Sequence, residues 1–167
     1  MKLMRRTMLL MGLWAVAMTA GAAEREKVLF DFDWKFKLGE TANAESVALD
    51  DADWRTVDLP HDFQIEMPWN EQANRSRGFK DMATGWYRKT FSADPAWRGR
   101  RVVIDFEGIM LHGDAYLNGE KIGGTDYGYL GFEADVTKLL RYGQQNVLAV
   151  HCSTGESKNS RWYTGSG

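Results

Sequence analysis

Residues 101–107 read Arg-Val-Val-Ile-Asp-Phe-Glu, and an extended backbone puts Val102, Ile104 and Phe106 on one face. That period of two recurs along the chain and restricts it more than any other feature. Residues 28–36 alternate apolar and polar side chains in the same way. Residues 54–59 do so again and stop at Pro60, while residues 86–91 are rich in strand formers. Asn118-Gly119, between residues 114–117 and 120–122, is a two-residue hairpin signal, because both positions accept a positive φ. Residues 146–153 read as a last strand. Only residues 135–141 suggest a helix, one or two turns ended by Gly143. Short strands with turn signals between them predict an all-β chain folded as a β-sandwich or jelly roll. The segment from Glu66 to Thr84 is long and polar, and loops of that length in small domains are usually functional or mobile.

The first residues follow a different logic. Lys2, Arg5 and Arg6 precede an apolar run over residues 8–18, and Ala20-Gly21-Ala22 offers a small-residue cleavage site. The run is too short to span a bilayer, which takes about 20 residues. Residues 1–22 are therefore expected to be a signal peptide. The protein would be exported to the periplasm or outside the cell, with no membrane segment after cleavage. Losing three cations would take the formal charge from −2 to −5, which excludes a phosphate-backbone partner such as nucleic acid. About 145 residues, 23–167, then form one domain. Cys152, the sole cysteine, makes no internal disulfide and sits in an apolar run, so a buried thiol is expected.

The polar residues show little that marks catalysis. His61, His112 and His151 lack metal-ligand spacing, and no cofactor motif is present. His61-Asp62 fits a pair that ties the chain turn after a strand, and His112 and His151 fit structural roles. Asp50, Asp51 and Asp53 read as a solvated turn. Glu66 and Glu71 lie in the long loop, and no motif marks two carboxylates facing one sugar, so no catalytic residue is assigned. Aromatic rings match the C–H face of a pyranose. Trp86 is expected in the core and Trp69 at the surface, while Trp162 and Tyr163 stay divided between core and sugar contact. They belong to the closing Arg161-Trp162-Tyr163-Thr164-Gly165-Ser166-Gly167, an aromatic and cationic cluster on a backbone that must turn sharply.

Several segments together carry a resemblance. Residues 54–62 (Trp-Arg-Thr-Val-Asp-Leu-Pro-His-Asp), 85–91 (Gly-Trp-Tyr-Arg-Lys-Thr-Phe), 106–109 (Phe-Glu-Gly-Ile), 116–119 (Tyr-Leu-Asn-Gly), 146–150 (Asn-Val-Leu-Ala-Val) and 159–167 occur in the order seen in glycoside hydrolase family 2. The chain resembles the N-terminal domain of that family, most of all in bacterial β-galactosidases. The resemblance implies a galactose-binding-like jelly roll whose final strand lies beyond Gly167. It also implies a downstream immunoglobulin-like sandwich and a (β/α)8 barrel carrying two catalytic glutamates of a retaining mechanism. The partners it implies are that barrel and a carbohydrate, a terminal β-galactoside; homo-oligomerisation stays open. It places Arg161 on a sugar hydroxyl, since a guanidinium offers five donors in a fixed fork. Asn159, Ser160 and Trp162 stand beside it. The alternative for Arg161 is an ion pair within the domain or across its interface. Thr164 stands where the family usually has proline, and the loop from Glu66 to Thr84 departs from the glycine-rich form. The competing readings are a stand-alone carbohydrate-binding module and, among enzymes, a β-glucuronidase or β-mannosidase.

Overall fold

In the computed structural model, which describes residues 25–75 and 78–155, two nine-residue strands form the spine. They are β3 (Thr84–Ser92) and β8 (Gln145–Ser153), antiparallel over their whole length, from Thr84 opposite Ser153 to Ser92 opposite Gln145. Around them stand β1 (Trp34–Leu38), β2 (Arg55–Val57), β5 (His112–Leu117) and β6 (Glu120–Thr125). The resulting six-stranded sheet has the order β2-β1-β3-β8-β5-β6. A second layer is the antiparallel pair of β4 (Val103–Phe106) and β7 (Phe132–Asp135). The chain is an all-β sandwich, as its alternation requires.

The main core lies between the layers. The large sheet contributes Trp34, Phe36, Tyr87, Leu117, Leu148, Val150 and Cys152, and the other side contributes Ala134, Val136 and Leu140. Phe106 and Phe132 stack at 4.5 Å across β4 and β7. Ile104 and Phe106 pack inward while Asp105 faces out, which matches the period-two reading. Burying each such aliphatic or aromatic side chain stabilises the fold by about 1.5–3 kcal/mol.

The opposite face of the sheet is also covered. Side chains alternate along β3, so Trp86 and Arg88 point away from Tyr87. They meet residues 44–54, which lie across that face with Ala44 and Trp54 buried. Arg88 is 1% exposed. Its guanidinium donates to Asp51 Oδ2 (2.8 Å), Ser46 O (3.0 Å), Leu49 O (3.4 Å) and Ala44 O. A cation survives there because its donors are matched by a carboxylate and three carbonyls.

The hairpin of β5 and β6 turns at Asn118 (φ 54°) and Gly119 (φ 88°), the two positive values that the Asn-Gly signal anticipates. Asn118 also works at long range: its amide donates to Leu139 O and Asn146 Oδ1, and its side-chain oxygen accepts from Val147 N.

Three expectations change. Residues 28–33 form no strand, and β1 begins at Trp34. Residues 135–141 are not a helix: Asp135 ends β7 opposite Val103, and a single turn follows, closed by Leu140 N on Val136 O. Val136 N is spent on Val102 O, which holds this stretch to β4. The helix present instead is α1 (Phe63–Glu66), capped by Asp62, whose carboxylate accepts from Gln64 N and Ile65 N.

Candidate functional site

The central strands set up one end of the sandwich. β8 finishes at Ser153, which stands opposite Thr84 at the start of β3 and opposite His112 at the start of β5. The segments that lead into or lie beside those starts, residues 78–83 and 126–131, therefore flank the point where β8 ends. Thr154, 1% exposed, clamps the first of them. Its N–H donates to Ala83 O (3.0 Å) and its hydroxyl accepts from Ala83 N (3.0 Å). Asn159, Ser160, Arg161 and Trp162 follow a few residues later in sequence and lie outside the described residues.

The flanking loop is braced from within. Asn70 spans it, donating through its side chain to both oxygens of Asp81 (2.9 and 3.0 Å) and through its backbone to Phe79 O (2.9 Å). Buried Gln64 donates to Asp81 O from below. Lys80 reaches back to Ile65 O (3.3 Å) and Met67 O, and its ammonium stands 4.3 Å from the centre of the Trp69 ring. Trp69 is nevertheless 73% exposed, as expected for it. Trp86 is buried, again as expected.

On the other side, His112 Nδ1 lies 3.2 Å from Asp126 Oδ1. Gly128 backs directly onto Met110, leaving no room for a Cβ. This close approach holds Tyr127 and Tyr129 side by side, ring centres 5.6 Å apart and both exposed. The sequence reading passed over these two tyrosines; the signal available for them was Tyr-Gly-Tyr in a turn between strands.

Nearby titratable groups are engaged in the fold. His151 packs on Trp86 (4.8 Å) and its Nε2 meets Glu40 Oε1 at 3.0 Å. Glu40 is held below the usual carboxylate range, first by a hydrogen bond from Thr84 and then by His151. His61 sits between Arg55 (Nε2, 2.7 Å) and the Tyr87 hydroxyl (Nδ1, 2.8 Å). The same Nε2 also lies 3.3 Å from Glu66 Oε1. Tyr87 in turn points its hydroxyl at His61 O, and burial pushes its phenol upward. Arg55 also pairs with Glu66 at 2.6 Å, lowering that carboxyl. His61-Asp62 thus ties the turn after β2, as read from sequence. Among the described residues no group of His, Cys, Asp and Glu is arranged to hold a metal ion. The arrangement presents aromatic faces and hydrogen-bonding groups at a rigid rim, a chemistry of binding.

Known proteins agree with that reading. Residues 9–165 match the family description Glycosyl hydrolases family 2, sugar binding domain. A β-galactosidase of Bacteroides ovatus is 39% identical over 157 residues, which are 93% of this chain and 18% of that protein. A β-glucuronidase of Formosa agariphila is 29% identical over 84% of this chain and 15% of its own length. Among solved structures, a β-glycosidase from Bacteroides vulgatus superposes with a TM-score of 0.75 at 36% identity, covering 83% of this chain and 18% of that one. The chain thus spans about a fifth of the length of these relatives. It belongs to glycoside hydrolase family 2, and its β-sandwich is that family's sugar binding domain.

Proposed function

We propose that this sandwich is the N-terminal, non-catalytic domain of an exported retaining exo-glycosidase that removes terminal β-galactosyl units. The observation that carries the proposal is the 39% identity to a β-galactosidase across nearly all of the chain. Retaining hydrolysis needs two carboxyl groups about 5–5.5 Å apart. In this reading a downstream barrel supplies them, and the sandwich leans on that barrel with the end described above. Arg161 then reaches a sugar hydroxyl at the rim, with Asn159, Ser160 and Trp162 around it. Residues 1–22 direct export and are removed.

A second reading has specific support, because β-glucuronidases also match most of the chain, in sequence and in structure. Nitrophenyl β-galactoside, β-glucuronide and β-mannoside, offered in parallel to the full-length gene product, separate the readings. The galactoside is expected to turn over fastest, with the β-anomer released. Preference for the glucuronide would move the assignment to the second reading. Absence of turnover on all three would remove the glycosidase reading.

A further inference from the structure

The most exposed large apolar side chain among the described residues is Trp69, and it stands on a loop with internal bracing. An indole left in water forgoes the stabilisation that burial would give it. Flexible loops let such a ring fold back onto the surface. Here residues 67–75 and 78–83 are held by the Asn70–Asp81 fork, the Asn70–Phe79 backbone bond, the Gln64 amide and the Ala83–Thr154 pair. Lys80 covers one face of the ring at 4.3 Å and is itself fixed by the carbonyls of Ile65 and Met67. With 73% of the residue still exposed, the other face is open.

The surroundings select a ligand class. The Lys80 ammonium stands over the ring, and the neighbouring Asn70 carries an amide paired with the Asp81 carboxylate, a mixture suited to hydroxyl groups. Immediately before it, Met67 and Pro68 line an open cleft of about 430 Å³ whose walls carry the Arg55–Glu66 and Lys37–Asp53 pairs. A flat apolar face beside paired charges fits a pyranose, which presents C–H bonds on one side and hydroxyls at its edge. The loop is also bonded at Thr154, just ahead of the Arg161 segment.

We propose that Trp69 is a stacking platform for a sugar unit on the leaving-group side of the substrate, beyond the bond that is cleaved. This rests on the glycosidase reading above. Such a platform strengthens binding of longer glycans and does not touch the reacting atoms.

The test uses the full-length enzyme and two forms of its preferred glycoside, the nitrophenyl monosaccharide and a β-linked tetrasaccharide. Trp69→Ala is expected to raise KM for the tetrasaccharide about tenfold, the scale of one aromatic contact. It leaves kcat, the nitrophenyl substrate and the melting temperature unchanged. Trp69→Phe restores most of the tetrasaccharide KM. Unchanged tetrasaccharide kinetics in the alanine variant would overturn the platform while leaving the glycosidase reading intact. A lowered melting temperature with both substrates impaired would also overturn it, by showing the ring wedged against another part of the protein. A wild-type enzyme inactive on every β-glycoside would sink the reading on which the platform rests, and the platform with it.

Discussion

Arg88 is the residue on which the second layer of packing depends. Its guanidinium holds four acceptors spread over residues 44–51, and Trp54 lies 5.9 Å from it. The strand-forming composition of residues 86–91 was legible, but it gave no sign that this face of β3 is covered. The covering segment lies about forty residues earlier in sequence, and nothing local to β3 announces it. Removing the cation leaves Asp51 and three carbonyls without their donor. Arg88→Met is therefore expected to lower the unfolding free energy by about 3–5 kcal/mol. Arg88→Lys should recover only part of this, since an ammonium lacks the planar fork. Urea denaturation of the two variants measures both effects. A loss below about 1 kcal/mol in the methionine variant would mean that the clamp is not what holds residues 44–51. The same limit explains the other residue-level outcomes. Trp69 and Trp86 were separable because one sits in a polar loop and the other in a strand. Tyr127 and Tyr129 were missed because their display comes from a glycine backing onto Met110, a contact between two loops.

At the scale of elements, seven runs were legible as extended chain, and all seven lie within or overlap observed strands. β7 was passed over because Phe132–Asp135 is short and its continuation from Asp135 has helix-like spacing. What decides the matter is pairing with β4, reinforced where Val102 N donates to the Thr137 hydroxyl (2.9 Å). That hydroxyl donates in turn to Asp135 Oδ1 (2.6 Å), and the Thr137 N–H donates to the same oxygen (3.1 Å). Asp135 is consequently lowered to about 2, first by the Thr137 hydroxyl, then by its backbone N–H, then by Arg101. The folded value lies below the unfolded one, about 3.9. The stabilisation is thus complete above the unfolded value and is lost as pH falls toward 2. Thr137→Ala is expected to raise the Asp135 value toward the ordinary range and to flatten the acid side of the stability profile. Carboxyl titration by NMR reads this directly. An Asp135 that still titrates near 2 in the alanine variant would show that the threonine is not the cause.

The whole molecule was legible as a sandwich but not in its topology. Motif order and alternation gave the fold class, whereas placing β8 between β3 and β5 requires a long-range crossover with no local signature. That crossover sets both the centre of the core and the rim beside β8. Its best reporter is Cys152, the only cysteine of the chain. It sits opposite Gly85 on one side and Gly113 on the other. The thiol donates to Met110 O, and burial pushes it up to about 12. Alkylation proceeds through the thiolate, so this upward shift alone should slow labelling at neutral pH by about a thousandfold relative to a free cysteine. Steric exclusion by β3 and β5 adds to that. Reaction then requires the three central strands to separate, and separating them dismantles the main core. Iodoacetamide labelling in increasing urea is accordingly expected to follow the loss of tryptophan fluorescence, with one midpoint for both. Rapid labelling in native buffer would show that the β8 end opens on its own, and the rim would then be a mobile edge instead of a fixed support for sugar contacts.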